Sequence, residues 1–325
     1  MLNLSHRSLK TNGINYHIAE QGEGPLVVLV HGFPESWFSW RHQISAIAKA
    51  GYKVIAPDMR GYGETDAPTA IEAYNIIELS NDIVGLITAL GYEQAVVIGH
   101  DWGAAVAWHT ALLHPNKVSA VGALSIPYGG RPSTPPLVKQ KEIFKDVFFY
   151  MLYFQQPGKA EQELETDIQS TLSKIFYGWS ADAPLAGMAS IKPRDANLLD
   201  SMPVPDTLPD WLSQDELNYY VKRFERSGFP GPLNWYRNLD RNWALTPQLA
   251  DDNANKIIHQ AALFLAGDKD PVMLFSAGSL NRMTDYVPNL KINQRIPNCG
   301  HWTQCEQPKI VNQHLIEFLD SLQEH

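Results

Sequence analysis

The sequence is poor in cysteine, has no long apolar run and carries no excess of basic residues. Two cysteines among 325 residues, Cys299 and Cys305, cannot form a disulfide framework, and neither lies in a CxxC metal motif. Lysine and arginine number 26 against 35 aspartates and glutamates; the net charge of −9 argues against nucleic acid or an anionic membrane as a partner. No stretch approaches the roughly 20 apolar residues of a membrane span, and residues 1–13 lack a signal-peptide pattern. We therefore expect a cytoplasmic enzyme or binding protein that does not insert into membranes.

The motifs that bind common cofactors and metals are also missing. Gly61-Tyr62-Gly63 lacks the third glycine of a dinucleotide fingerprint, and the phosphate-binding pattern GxxxxGK[ST] does not occur. His109 and His114 are five residues apart, the wrong spacing for two zinc ligands on one helix face, and there is no HExxH motif. We expect no cofactor and no metal ion.

Two parts of the chain alternate between strand-like and helix-like patterns. Strand patterns, several of them wholly apolar, lie at 26–30, 53–56, 95–98, 118–126, 262–266 and 290–296. Helical patterns lie between and after them, at 44–50, 76–90, 104–114, 274–283 and 311–322. The second of these helices has Asn75 as its predicted cap. Strands that alternate with helices predict an α/β fold with a mostly parallel central sheet flanked by helices.

The pattern changes between Pro127 and Pro247. Thirteen of the 22 prolines lie there, and helical stretches at 139–155 and 214–227 are joined by a proline-rich loop over 182–210. We interpret the chain as one α/β core, residues 1–130 and 247–325, interrupted by a helical cap over residues 131–246. The insert has the size of a small domain.

One motif stands where a strand meets a helix. Gly99-His100-Asp101-Trp102-Gly103 has the strand–turn–helix setting of a GxSxG nucleophile elbow, with aspartate in place of serine. A carboxylate is already ionised at neutral pH and can displace a leaving group from saturated carbon, which forms an alkyl ester on the enzyme. The alternative is an ordinary turn in which Asp101 caps the helix.

Hydrolysis of such an ester needs a base that activates water. The candidate is His301, which only its position at the end of a core strand distinguishes from the other histidines. Asp270, after the preceding strand, is the favoured partner that orients it; Asp268 is the alternative, and either residue could be a plain turn carboxylate. Backbone N–H groups of Phe33, after the first apolar strand, and of Trp102 could form an oxyanion hole.

The order of four motifs along nearly the whole chain resembles the soluble epoxide hydrolases of the α/β-hydrolase fold. The motifs are His31-Gly-Phe-Pro, Gly99-His-Asp-Trp-Gly, Gly267-Asp-Lys-Asp and Cys299-Gly-His-Trp. The resemblance implies that Asp101 is the nucleophile, Asp270 the acid and His301 the base that activates water. A haloalkane dehalogenase, which would share the elbow, and a ligand receptor of the same fold without turnover are the alternatives.

Two segments of the insert, 150–158 and 231–238, favour the epoxide hydrolases. They resemble the cap segments that supply the family's epoxide-binding tyrosines, which implies Tyr150 and Tyr236 here; Tyr153, one helical turn from Tyr150, is the other candidate for the first position. A phenol can hydrogen-bond and protonate an epoxide oxygen, whereas a halide leaving group needs no proton. Phe33 and Trp102 are expected to contact the substrate as well.

The resemblance thus implies an enzyme without a cofactor that converts epoxides to vicinal diols and has a role in detoxification. We expect a monomer or a homodimer. No second activity is expected, because the sequence has no counterpart of the phosphatase-like domain of mammalian members.

Overall fold

The computed structural model describes residues 4–184, 191–250 and 254–323, which contain an eight-stranded sheet with helices on both faces. The strands are β1 (Ser5–Thr11), β2 (Ile14–Gln21), β3 (Leu26–Val30), β4 (Lys53–Pro57), β5 (Ala95–His100), β6 (Val118–Leu124), β7 (Ala261–Gly267) and β8 (Leu290–Ile296). Their order in the sheet is β1-β2-β4-β3-β5-β6-β7-β8. The pairs β1–β2 and β2–β4 are antiparallel and all the others are parallel. The predicted mostly parallel α/β sheet is confirmed.

The two antiparallel strands at the edge of the sheet, β1 and β2, are absent from the sequence-based prediction. They form a hairpin through Asn12 and Gly13, whose φ angles are +48° and +73°. Asn-Gly is the pair that two-residue hairpin turns prefer, because both central residues need positive φ. The Asn12-Gly13 dipeptide could therefore have predicted the hairpin from the sequence.

Helices cover the sheet and fill the insert. Within the described residues they are α1 (Arg41–Lys49), α2 (Ile76–Ala89), α3 (Trp102–Leu113), α4 (Pro136–Ile143), α5 (Tyr150–Tyr153), α6 (Lys159–Leu164), α7 (Ile168–Gly178), α8 (Gln214–Ser227), α9 (Pro230–Arg237), α10 (Leu239–Leu245), α11 (Val272–Phe275), α12 (Ala277–Tyr286), α13 (Thr303–Glu306) and α14 (Pro308–Asp320). Short 3₁₀ helices lie at Trp37–Trp40, Ile71–Tyr74, Pro247–Leu249 and Ala254–Lys256. None of the helices in these parts of the chain is long and apolar enough to cross a bilayer.

The sheet has one hydrophobic core on each face. Apolar side chains of α1 and α14 pack on one face, and those of α2 and α3 pack on the other, together with side chains of the insert. Asn75 caps α2 as predicted, because its side chain accepts hydrogen bonds from the N–H groups of Ile77 and Glu78. The helix predicted near 274–283 is confirmed as α12, and the four-residue helix α11 comes just before it.

The insert is helical, but one of its two predicted helices is wrong. The stretch 139–155 contains most of α4 and all of α5, separated by a turn over 144–146 and a short bridged segment in which the Phe148 N–H donates to the Lys192 carbonyl at 3.0 Å. This tertiary hydrogen bond replaces the helical one. The other prediction, 214–227, is confirmed as α8, which a Ser213–Glu216 capping box begins. Residues 185–190 of the predicted loop over 182–210 lie outside the described residues, and the boundaries of the cap stay a prediction.

Candidate active site

Asp101 lies on a sharp turn between β5 and α3. Its backbone angles, φ +52° and ψ −122°, cost a residue with a side chain roughly 1–3 kcal/mol. Strand and helix approach so closely that a Cβ on Gly99 would lie 2.0 Å from the carbonyl oxygen of Gly103. Within the described residues, the Asp101 side chain makes no capping hydrogen bond to α3; Oδ1 instead accepts one from the Phe33 N–H at 2.9 Å. The alternative role as a helix cap is not realised.

The two residues expected to form an oxyanion hole lie next to Asp101. Phe33 follows β3 closely, and its N–H already points at Oδ1. Trp102 is the first residue of α3, where backbone N–H groups have no acceptor within the helix. The Trp102 ring packs edge-to-face on Tyr236, with ring centroids 5.2 Å apart. Among the described residues, Phe33 lines the cavity and Trp102 does not.

His301 stands between two carboxylates. Its Nε2 lies 3.6 Å from Asp101 Oδ2, and its Nδ1 lies 3.2 Å from Asp270 Oδ1. Asp270 is buried, whereas Asp268 is exposed and accepts a hydrogen bond from the Cys299 N–H. The structure therefore brings Asp270 to His301, and Asp268 holds the backbone of the same loop.

Two tyrosines of the insert line the cavity into which Asp101 projects. Tyr150 begins α5 and Tyr236 lies in α9, with ring centroids 6.0 Å apart. The Tyr153 hydroxyl donates to Glu163 at 2.7 Å, away from the cavity. The cavity is lined mainly by apolar groups: Phe33, Pro34, Asp101, Tyr150, Phe154, Ile175, Trp179, Leu198, Met202, Tyr236, His301 and Trp302.

Comparison with known proteins identifies the family of this chain. Residues 25–308 match the family model of the alpha/beta hydrolase fold. Epoxide hydrolase A of Mycobacterium tuberculosis (strain ATCC 25618 / H37Rv) is 44% identical over 322 residues, which cover 98% of both chains. The crystal structure of epoxide hydrolase A from Mycobacterium thermoresistibile superposes with a TM-score of 0.92 at 47% identity, again over 98% of each chain. The chain belongs to the epoxide hydrolases of the α/β-hydrolase fold.

A longer member of the epoxide hydrolases is also similar. Bifunctional epoxide hydrolase 2 of Sus scrofa is 41% identical over 312 residues, which are 95% of this chain and 54% of that relative. The family resemblance seen in the four motifs is confirmed by these matches.

Shifted pKa values indicate which groups of this epoxide hydrolase site carry a proton at neutral pH. Burial opposes a charge on His301, but the neighbouring Asp270 and Asp101 outweigh it and raise the pKa of His301 to about 10. Burial also opposes the charge of Asp270, yet His301 holds the pKa of this carboxyl below its usual value. Burial, reinforced by the charge of Asp101, raises the pKa of Tyr150 and of Tyr236, so both phenols keep their protons at neutral pH.

Sequence reasoning missed a buried pair behind the active site. Glu35 Oε2 lies 2.8 Å from His100 Nδ1, and His100 Nε2 lies 2.7 Å from the carbonyl oxygen of His301. Glu35 also accepts the Gly32 N–H, so the pair connects the loop of Phe33 to that of His301. Glu35 follows the His31-Gly-Phe-Pro motif directly, and His100 lies in the Gly99-His-Asp-Trp-Gly motif. Their positions in the sequence could therefore have identified them as neighbours of the site.

The apolar side chains that the insert contributes to the cavity were also missed, because no local pattern identifies residues that converge only through tertiary packing. In the part of the chain that the structure describes, no group of three or more histidine, cysteine, aspartate or glutamate side chains could hold a metal ion.

Proposed function

We propose that this protein hydrolyses epoxides to vicinal diols through an ester on Asp101. One observation carries the proposal: a single apolar cavity holds a carboxylate, a histidine–aspartate pair and two phenols that keep their protons. The family members named above are epoxide hydrolases, which supports the same activity here.

In the first step the carboxylate opens the ring. Asp101 Oδ2 is the attacking atom, because Oδ1 is held by the Phe33 N–H while Oδ2 faces His301. Oδ2 forms a bond to a ring carbon as the bond from that carbon to the ring oxygen breaks. Tyr150 and Tyr236 hold the ring oxygen, and one of them transfers its proton to it. The product is a hydroxyalkyl ester.

In the second step water cleaves the ester. His301, oriented by Asp270, takes a proton from water, and the resulting hydroxide attacks the ester carbonyl carbon. The N–H groups of Phe33 and Trp102 stabilise the negative charge on Oδ1. The diol oxygen then leaves with the proton held by His301, and the new carboxylic acid of Asp101 returns its proton through water to the tyrosinate.

Esterification itself prepares His301 for this second step. Asp101 contributes to the raised pKa of His301, and the ester carries no charge. Forming the ester therefore lowers the pKa of His301 and favours the neutral imidazole that the step requires.

The substrate we propose is an apolar epoxide, because the cavity wall is largely aromatic and aliphatic. We propose a detoxifying enzyme of the cytoplasm, acting as a monomer or a homodimer without a cofactor. Free, buried Cys299 and Cys305 are compatible with a reducing compartment.

A single turnover of an aryl epoxide in ¹⁸O-labelled water tests the proposal. Because water attacks the carbonyl carbon, the first label enters the Asp101 carboxylate, and mass spectrometry of the peptide that contains Asp101 should detect it. Label that enters the diol in the first turnover would contradict the ester mechanism.

Bromoalkanes provide the matched control substrate. Release of bromide without opening of epoxides would indicate a haloalkane dehalogenase instead. Binding of either compound without turnover would indicate a receptor.

A further inference from the structure

The carboxylate of Glu306, the last residue of α13, accepts hydrogen bonds from three backbone N–H groups. Oε2 accepts from Ala181 at 2.9 Å and from Gly300 at 2.8 Å, and Oε1 accepts from Trp302 at 2.9 Å. Burial raises the pKa of Glu306 to about 7; the three N–H donors oppose the rise and Asp182 adds to it. The proposed chemistry does not use this group.

Two of the donors, Gly300 and Trp302, flank His301 in the chain, and the third follows α7 in the insert. Further bonds join the same two segments. The His301 N–H donates to the Trp179 carbonyl at 2.9 Å, and Trp302 Nε1 donates to the Phe176 carbonyl at 2.7 Å. The backbones are so close that a Cβ on Gly300 would lie 2.4 Å from the Ala181 nitrogen. The loop of His301 therefore rests against the end of α7, and among the described residues Glu306 is the one side chain that hydrogen-bonds to the backbone of both.

We propose that Glu306 is a positioning residue for the base: its carboxylate holds the His301 loop against the insert and so sets where the imidazole stands relative to the Asp101 ester. This inference rests on the proposed ester mechanism. Asp101 depends on the β5–α3 turn and on Phe33 for its own position, so Glu306 acts on the hydrolysis step and not on ring opening.

Glu306→Gln is a sharp test because both carboxylate oxygens are acceptors here. The amide keeps one acceptor and turns its NH₂ group toward a backbone N–H, so at least one of the three bonds is lost. Since a misplacement of about 1 Å in a catalytic group can cost about 100-fold, we expect ester hydrolysis to slow by about 10- to 100-fold. Formation of the ester should change by less than about threefold, and the ester should accumulate.

The control variant is Glu165→Gln. Glu165 also accepts a backbone N–H, that of Phe229 at 2.8 Å, but it lies within the insert and, within the described residues, makes no hydrogen bond to the His301 loop. Rapid-quench kinetics with intact-protein mass spectrometry would measure both steps in each variant. The control should hydrolyse its ester at the wild-type rate.

Two results would overturn the inference: wild-type ester hydrolysis in Glu306→Gln, or an equal slowing of both steps, which indicates a general structural defect. If the amide variant does not fold, Glu306→Asp, which keeps both oxygens on a shorter stem, should slow hydrolysis alone by a smaller factor; unchanged hydrolysis there would also overturn it. Absence of any Asp101 ester in the wild-type protein would instead contradict the proposed function.

Discussion

The two oxygens of Asp101 have different surroundings, and this difference begins with the backbone of a single residue. At φ +52° the side chain leaves the β5–α3 turn with Oδ1 against the Phe33 N–H and Oδ2 facing His301. In the proposed mechanism, Oδ1 becomes the oxyanion and Oδ2 attacks the epoxide. The strain of this conformation, roughly 1–3 kcal/mol, is compensated by the packing of β5 and α3.

Replacing the cavity tyrosines should slow ring opening. Tyr150→Phe and Tyr236→Phe each remove one donor to the developing alkoxide, so ester formation should slow by about 100-fold for each and stop when both are replaced. Rapid-quench measurement of ester formation checks this. Tyr153→Phe is the control: its hydroxyl bonds to Glu163, and a loss as large as that of Tyr150→Phe would reassign the first tyrosine.

Replacing Asp270 should slow ester hydrolysis. The Asp270 charge orients His301 and raises the pKa of its imidazole, and Asp270→Asn removes this charge. The rate of ester hydrolysis should therefore fall by about 10²- to 10⁴-fold while the ester accumulates. Asp268→Asn keeps an oxygen that can accept the Cys299 N–H, and within the described residues Asp268 makes no hydrogen bond to His301, so this variant should hydrolyse at close to the wild-type rate. The reverse order of effects, measured by single-turnover kinetics, would assign the role to Asp268.

The two steps should depend on pH differently. Ring opening does not need neutral His301, so its rate should stay flat between about pH 6 and pH 9. Hydrolysis needs the neutral imidazole, so its rate should rise with pH, with a midpoint below about 10 because the ester has lost the Asp101 charge. Stopped-flow measurements across this range check both limbs; a hydrolysis rate that falls as pH rises would contradict His301 as the base.

At the scale of elements, correct predictions came from signals that lie within one segment. α8 has an apolar face, a Ser213–Glu216 capping box and Gly228 at its end, so periodicity and caps agree. The stretch 139–155 has helical periodicity too, but Phe148 pairs with Lys192, over 40 residues away in sequence, and this bond breaks the helix. Local pattern cannot report such a partner.

The cap of α2 offers a stability test at this scale. Asn75→Ala removes the side-chain acceptor of the Ile77 and Glu78 N–H groups, and the free energy of unfolding should fall by about 1 kcal/mol. Asn75→Asp keeps an acceptor and should retain most of the stability. Urea denaturation measures both; equal losses would show that the side-chain bonds do not stabilise the helix.

At the scale of the whole molecule, ion pairs join the core to the insert. Arg41 on α1 pairs with Glu216 on α8 at 2.7 Å, and the Arg41 side chain is only 4% exposed. Arg241 on α10 pairs with Glu72 beside α2 at 3.2 Å, with both side chains largely exposed. The two pairs cross the same boundary and differ in burial.

Burial should decide how much each pair stabilises the protein. Glu216→Gln leaves a buried guanidinium without its carboxylate and should lower the free energy of unfolding by about 2–3 kcal/mol. Glu72→Gln at the exposed pair should cost less than about 1 kcal/mol. Denaturant unfolding compares the two variants, and equal losses would mean that burial is not the deciding factor.

The sequence by itself determined the α/β fold, the strand–turn–helix motif at Asp101 and the family, because each depends on residues that are adjacent in the chain or on an ordered set of short motifs. Only the tertiary structure decided between Asp270 and Asp268 as the neighbour of His301, and between Tyr150 and Tyr153 as the cavity tyrosine. Each of those choices depends on which side chain faces a partner from a distant segment. Such contacts depend on how the core, the loops and the insert pack together. A local sequence pattern does not contain this information, because the contacting residues are far apart in the chain.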